Sequence, residues 1–215
     1  MFLDLSHTIT HGMTTYPGLP GPIICDFLSR EASRGKYAPG VEFQIGKIEM
    51  VANTGTYVDS PFHRYADGKD LSGLSLEALA DRDILVISAV GERAVDRHAF
   101  AGKPIRGRAV LVHTGWDRHW GTDRYLSGNP FLTADAADHL VEEGAAIVGI
   151  DSLNIDDLGD LARPVHSSLL AAGIPIVEHL RGLEQLSSSG ARFFAVPPKV
   201  AGFGTFPVRA FAMLG

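Results

Sequence analysis

A carboxylate and an imidazole stand four residues apart in a segment rich in small and turn-forming residues. These groups are Asp59 and His63, and Asn53 and Tyr57 precede them in the same segment. If residues 53–63 are extended, alternate side chains point to one side and gather all four polar groups on one face. A carboxylate and an imidazole can bind a metal ion or transfer protons. The alternative is a polar turn in which Asp59 caps nearby backbone groups and His63 lies on the surface.

Two further residues of this segment influence its backbone. Gly55 lets another group approach the chain closely. Pro61 fixes the backbone just before His63. Both residues interrupt a regular strand, so the predicted alternation is approximate.

A second pair of potential ligands lies in the other half of the chain. His166 and Glu178 are separated by a predicted short helix and the start of a strand.

Residues 53–63 closely resemble a metal-binding signature, His-x-Gly-Thr-His-x-Asp-x-Pro-x-His, of the cyclase family that includes bacterial kynurenine formamidase and isatin hydrolase. Asn53 and Tyr57 stand where the signature has its two metal-ligating histidines. The segments around His166 and Glu178 resemble the family's distal metal ligands. Residues 4–7 and 13–18 resemble the family's opening, so the similarity covers most of the chain.

The resemblance implies a poor first metal site. By position, its ligands would be Asn53, Tyr57 and Asp59. Asn offers only a neutral carbonyl, and a Tyr must lose a proton with a pKa of about 10 before it binds a metal well. The sequence therefore predicts that this ion is absent.

The resemblance implies a complete second site, formed by Asp59, His166 and Glu178. His63 takes the family's position for the general acid/base, and Tyr16 falls where the family places an aromatic residue against the substrate. The predicted cofactor is one divalent ion, zinc or manganese, and the predicted activity is hydrolysis of a small amide, formamide or lactone. Tyr57 and Asn53 would donate hydrogen bonds to the developing oxyanion.

Two other functions fit the same residues. In the first, a metal-independent cyclase or dehydratase acts on a polyketide-type carbonyl compound, with His63 and Asp59 transferring protons. In the second, the protein binds a ligand but is catalytically silent. If no metal is retained, Asn53 and Tyr57 would instead hydrogen-bond the remaining site residues as a buried polar network.

Strand and helix patterns alternate along the chain, which indicates an α/β protein. The resemblance implies a single domain over residues 1–215 with the swivelling β/β/α fold, a mixed barrel-like sheet flanked by helices. The predicted strands are Phe2–Ser6, Phe43–Val51, Asp83–Ser88, Arg108–His113, Ala145–Ile150, Ile174–Glu178, Phe193–Val196 and Val208–Met213. The predicted helices are 134–143, with Thr133 as N-cap and Gly144 as the stop, and Ser167–Ala172.

The composition of the chain argues against two classes of binding partner and favours one cellular compartment. The net charge is −6 and there is no basic run, which argues against nucleic acid and anionic membranes as partners. Cys25 is the single cysteine and is predicted to be a small buried hydrophobe. The lack of a disulfide, of a signal-peptide pattern and of a membrane-length apolar run favours a cytoplasmic protein. The resemblance implies a homodimer or homotetramer acting on a small molecule.

Three other regions receive structural predictions. His179 follows Glu178 and, in an extended segment, would face the opposite way, so it is predicted to be structural. The polar stretch 117–129 is predicted to lie on the surface. Asp156 and Asp157 are predicted to be solvated or capping carboxylates.

Overall fold

Strands and short helices alternate through most of the chain in the computed structural model, which describes residues 1–215. The strands are β1 (Phe2–Asp4), β2 (Ile23–Leu28), β3 (Ile45–Glu49), β4 (Tyr57–Asp59), β5 (Arg82–Ser88), β6 (Ala94–Val95), β7 (Ala109–His113), β8 (Phe131–Leu132), β9 (Ile147–Ile150), β10 (Ile176–Glu178), β11 (Ala191–Phe194), β12 (Thr205–Pro207) and β13 (Phe211–Leu214). The helices are α1 (Arg30–Ser33), α2 (Leu76–Leu79), α3 (Ala134–Glu143) and α4 (Pro164–Ala171). None of these helices has the length and apolar character required to cross a bilayer.

Nine strands form one mixed sheet that curls into half a barrel, in the order β1-β13-β11-β5-β7-β9-β10-β4-β12. The central strands β5, β7, β9 and β10 are parallel, and the outer strands pair antiparallel. This arrangement confirms the predicted α/β class and the mixed, helix-flanked sheet. It also places β4 and β10, which carry predicted site residues, side by side.

The central strands are buried on both faces, as their apolar runs predict. Leu85 and Ile87 of β5 pack in a core cluster that also contains residues of α3 and α4. Ile84 of the same strand packs in the cluster on the other face. Because successive side chains of a strand point to opposite faces, one apolar run contributes to both clusters.

The two longest helices differ from their predictions in detail. Thr133 is the N-cap of α3 and Gly144 ends it with a φ of 73°, as predicted, but the Thr133 hydroxyl bonds the Asp135 carboxylate and not a backbone N–H. Helix α4 begins at Pro164, three residues before the predicted start. Proline suits the first helical position because the N–H that it lacks would have no partner there. This earlier start places His166 inside the helix.

Strands β2 and β3 form a separate antiparallel hairpin outside the main sheet. The prediction for Cys25 is wrong, because this thiol lies exposed on β2. The predicted strands at 43–51 and 193–196 are observed with different bounds, as β3 and β11.

Candidate active site

The pairing of β4 with its two neighbours places four polar side chains together. Tyr57 lies opposite Glu178 on β10, and Asp59 lies opposite Thr205 on β12. The Tyr57 hydroxyl donates to Oε2 of Glu178 at 2.6 Å, and the Thr205 hydroxyl donates to Oδ1 of Asp59. Directly opposed residues of antiparallel strands are close enough for such contacts. The strand register therefore forms this part of the site.

Residues 53–63 are extended only in part, and the approximate alternation predicted for them does not continue to His63. Only Tyr57–Asp59 is a strand, and Pro61–His63 form a 3-10 turn. The turn still brings Nδ1 of His63 to 2.8 Å from the Thr205 hydroxyl and 3.7 Å from Oδ1 of Asp59. A Cβ on Gly204 would lie 2.5 Å from the backbone nitrogen of His63, so the close approach of this chain segment requires glycine.

Gly55 has the role predicted for it. Its φ is +67°, and a Cβ there would lie 2.9 Å from the Ile9 side chain. A substitution would be strained by both the backbone conformation and the contact. Gly55 thus allows the opening segment of the chain to pack against the entry to β4.

His166 is oriented by a buried carboxylate. Asp156 accepts hydrogen bonds from the backbone N–H groups of Val165 and His166, at 2.7 and 3.1 Å, and caps α4. The same carboxylate lies 2.6 Å from Nδ1 of His166, so Nδ1 carries the proton. Asp156 is fully buried, so of the two predicted alternatives, a solvated or a capping carboxylate, it is the capping one.

The other imidazole nitrogen faces two buried carboxylates. Nε2 of His166 lies 3.7 Å from Oδ2 of Asp59 and 3.8 Å from Oε1 of Glu178. Oδ2 of Asp59 is buried and has no hydrogen-bond partner. Separations of this size suit donors around one ion at bond lengths of roughly 2.0–2.2 Å. An unpartnered buried carboxylate oxygen also fits a bound cation, because burying it unpaired is costly.

The electrostatics of these groups favour positive charge at the same place. Burial lowers the pKa of His166, but hydrogen bonding to Asp156 and the nearby charges of Glu178 and Asp59 outweigh burial and raise the pKa to about 10, so a metal ion would displace a proton from Nε2. Burial raises the pKa of Glu178 to about 7, and the charge of Asp59 adds to the rise. A divalent cation would offset the cost of burying both carboxylates.

His63 is a fourth potential donor at this position. One ligand atom each from Asp59, His63 and His166 lies within 4.8 Å of the others. The predicted division of roles, with Glu178 as ligand and His63 as acid/base, therefore stays a prediction. Both imidazoles are close enough to Asp59 for either arrangement.

These residues line or underlie a cavity of about 430 Å³. Six of the seven predicted site residues line it, and Asp59 lies buried beside them. The six are Tyr16, Asn53, Tyr57, His63, His166 and Glu178. The structure thus brings the predicted residues from three distant parts of the chain to one place.

The structure changes the predicted role of Tyr57. Its hydroxyl has a single proton, which it donates to Glu178. Burial and the nearby charges of Glu178 and Asp59 raise the pKa of this phenol well above its usual value, so it stays protonated. Tyr57 therefore holds Glu178 in place, as in the predicted polar network, and the role of Asn53 as an oxyanion donor stays a prediction.

Two charged cavity residues were not predicted from the sequence. Arg64 and Arg163 both contribute to the wall. Burial raises the pKa of Tyr16 and the neighbouring Arg163 charge opposes the rise, which places the guanidinium close to the phenol. Both arginines flank predicted site residues in sequence, but nothing in their spacing distinguishes them from surface arginines.

The structural prediction for His179 is consistent with its position behind the site. It is fully buried, its Nδ1 lies 2.8 Å from the Tyr125 hydroxyl, and its ring centroid is 5.1 Å from that of Tyr57. Tyr125 is also buried, so the prediction that the stretch 117–129 lies on the surface is wrong there. Trp120 of the same stretch stacks on His7 with centroids 3.9 Å apart. This stretch supports the wall that carries Tyr57.

The curled mixed sheet is the fold of solved cyclase-like structures, and an aspartate, a glutamate and two histidines lie together at its cavity. The sequence profile of the family described as "Putative cyclase" matches residues 3–157. The chain belongs to this cyclase family.

Relatives and solved structures agree with this membership. A kynurenine formamidase from Bacillus cereus is 27% identical over 213 residues, which cover 97% of this chain and 95% of the relative. Isatin hydrolase A from Labrenzia aggregata superposes with a TM-score of 0.84 at 22% identity, covering 100% of this chain and 93% of the other. A potential metal-dependent hydrolase with cyclase activity gives a TM-score of 0.79 at 24% identity, covering 99% and 96%. These structural similarities establish the fold.

Proposed function

We propose that this protein is a metal-dependent hydrolase that cleaves the C–N bond of a small amide or formamide, or the ester bond of a small lactone. The observation that carries the proposal is the buried, unpartnered Oδ2 of Asp59, which faces Nε2 of His166 beside the cavity. Kynurenine formamidase and isatin hydrolase are named for hydrolysis at such bonds, which supports the same class of reaction here.

The metal would be held by Asp59, His166 and Glu178. The set of one imidazole and two carboxylates suits zinc or manganese. When bound, such an ion lowers the pKa of water and polarises a carbonyl oxygen. Asp156 fixes the proton of His166 on Nδ1 and leaves Nε2 free to act as a ligand, and Tyr57 holds Oε2 of Glu178.

The remaining residues handle the proton and the oxyanion. His63 is bonded at Nδ1 to the Thr205 hydroxyl, which leaves Nε2 available to the cavity. This nitrogen takes a proton from the attacking water and returns one to the leaving amine. Asn53 donates its amide N–H to the carbonyl oxygen as negative charge develops there.

The same structure supports proposals about assembly and compartment. We propose that the chain forms a homo-oligomer, because the β2–β3 hairpin exposes apolar side chains on Ile24 and Ile48. We propose a cytoplasmic location, because Cys25 is an exposed free thiol that persists best in a reducing compartment.

The test is hydrolysis of an N-formyl arylamine, in which water adds to the carbonyl, the C–N bond breaks, and formate and the arylamine leave. Purified protein is expected to contain one divalent ion per chain and to lose turnover with a chelator. Asp59→Ala is expected to lose both the ion and the activity. Turnover that survives complete metal removal, or no turnover of formamides, amides and lactones by metal-loaded protein, would contradict the proposal.

A further inference from the structure

Two arginines of the cavity have no carboxylate partner. Neither the Arg64 nor the Arg163 guanidinium lies within 4.0 Å of a carboxylate oxygen, whereas Arg192 contacts the carboxylates of Asp81 and Asp83 at 2.8 and 2.6 Å. The chain has an excess of acidic residues, with 25 Asp and Glu against 19 Lys and Arg. Carboxylates are thus plentiful, and the two cationic groups of the cavity are left without one.

Arg163 is held in a fixed position. Its backbone is left-handed, with φ 49° and ψ 58°, a conformation that non-glycine residues rarely adopt. One guanidinium nitrogen, Nη1, donates to the carbonyl oxygen of Asp157 at 3.0 Å. The guanidinium also lies beside the Tyr16 hydroxyl, and no carboxylate of the protein takes up its remaining N–H groups. The side chain is therefore positioned in advance and keeps donors free for a ligand.

Arg64 provides a second, more exposed positive charge. It follows His63 directly, its Nε donates weakly to the Ser167 hydroxyl at 3.4 Å, and its guanidinium lies 5.2 Å from the centroid of the Tyr65 ring. The cavity is therefore divided by charge. The buried acidic groups Asp59 and Glu178 lie on its inner side, and the two arginines lie nearer the solvent.

We propose that Arg163, assisted by Arg64, binds a carboxylate carried by the substrate and so determines specificity for anionic amides and formamides. The identification of this ligand as a substrate rests on the proposed hydrolase function. The planar guanidinium fork matches a carboxylate with two parallel hydrogen bonds. The scissile carbonyl then lies towards His166, and the carboxylate lies towards the solvent.

The experiment compares two formamides that differ by one carboxylate, N-formylanthranilate and formanilide. The unmodified protein is expected to have a higher kcat/KM for N-formylanthranilate. Arg163→Gln is expected to reduce that preference by about 10- to 100-fold, the range for hydrogen bonds to a charged group. Arg64→Gln is expected to reduce it less, and Arg163→Lys to retain part of it. Arg209→Gln is the matched control, because it removes the same charge from an arginine that pairs with Asp4 outside this cavity.

A binding measurement separates this inference from the proposed function. The dissociation constants of anthranilate and aniline are measured by calorimetry for the same proteins, whose folding and metal content are checked by thermal unfolding and elemental analysis. If neither formamide is hydrolysed but Arg163→Gln weakens anthranilate binding at least tenfold and aniline binding much less, the anion site stands and the function fails. Equal effects on both members of either pair, or no more effect than Arg209→Gln has, would overturn the inference.

Discussion

Asp156 and His166 form a buried carboxylate–imidazole pair in which Oδ2 lies 2.6 Å from Nδ1. Asp156 also accepts the backbone N–H of Val165 at 2.7 Å, so one carboxylate both starts helix α4 and fixes the imidazole that helix α4 carries. The N-cap residue of this helix, Arg163, makes no side-chain capping bond. Helix capping and the orientation of the His166 imidazole therefore depend on the same side chain.

Asp156→Asn is expected to weaken metal binding by about 10- to 100-fold, the usual effect of losing a partner that orients a ligand. An asparagine amide can donate to Nδ1 and so favour the tautomer with the proton on Nε2, the nitrogen that would bind the ion. Competition with a chromogenic chelator measures the change. Asp157→Asn is the control, because Asp157 is adjacent but its carboxylate does not contact His166. Equal metal affinity in all three proteins would contradict this account of Asp156.

The structure also allows the roles of Glu178 and His63 to be separated. Glu178→Gln is expected to lower metal content, because the proposed metal site would lose one of its two carboxylates. His63→Ala is expected to keep the ion and to lose turnover by about 100-fold or more, in line with the loss of a general acid/base. Elemental analysis and formamide kinetics on the two variants decide between the roles. Loss of the ion in His63→Ala with retention in Glu178→Gln would make His63 the ligand.

The two signature positions without histidine provide a test of the family alignment. Asn53 and Tyr57 both line the cavity next to Asp59, and histidines at both positions would supply the ligands that the family signature has there. Asn53→His with Tyr57→His is expected to bind a second metal equivalent per chain. Asn53→Ala with Tyr57→Phe is the control, which removes the polar groups without adding ligands. No additional ion in the histidine variant would show that these positions are assigned wrongly.

Much of the sheet could be predicted from the sequence, because buried parallel strands are continuous apolar runs. Residues 83–88 and 108–113 lie in or next to strands β5 and β7 for this reason. The bounds of α4 were harder to predict from the sequence. The residue that caps this helix is Asp156, which lies outside the helix and contacts it only in the folded protein. Local sequence contains no sign of such a distant capping group.

The candidate residues of the site could be selected where residue type and position in the sequence are enough to identify them. Asp59, His166 and Glu178 could be selected because the family resemblance fixes their positions. The partnership of Thr205 with Asp59 depends on the register between β4 and β12, and the donation from Tyr57 to Glu178 depends on the register between β4 and β10. Pairing of strands this far apart in sequence is set by the whole fold, so the sequence did not reveal it.

The β2–β3 hairpin provides a test of self-association. Ile24 and Ile48 lie directly opposite each other, on the same face, and are 38% and 56% exposed. If this face packs against another copy of the chain, Ile48→Glu is expected to shift the protein to a smaller assembly in light-scattering chromatography. Lys47→Glu, at the neighbouring position that points to the opposite face, is the control. A monomeric unmodified protein, or an unchanged mass for Ile48→Glu, would exclude this face as the interface.

His7 makes the stability of the protein depend on pH. Burial lowers the pKa of His7 to about 4, and the charge of Arg181 adds to the decrease. At pH values between about 6.5, the pKa of an unfolded histidine, and about 4, the pKa in the folded protein, the unfolded state binds more protons than the folded state. The free energy of unfolding therefore falls as the pH is lowered through this range, with a slope from His7 of at most about 1.4 kcal/mol per pH unit.

His7→Gln is accordingly expected to destabilise the protein more at pH 7.5 than at pH 5. At the higher pH the variant loses the stacking of the imidazole on Trp120, whose ring centroid is 3.9 Å away. At pH 5 this loss is partly offset. Folding of the unmodified protein at that pH requires His7 to lose its proton, and glutamine removes this free-energy cost. Urea unfolding at both pH values gives the two differences, and His98→Gln, at a histidine whose side chain is 87% exposed, is the matched control. A destabilisation by His7→Gln that is the same at pH 7.5 and pH 5 would show that His7 does not contribute to the acid sensitivity of the fold.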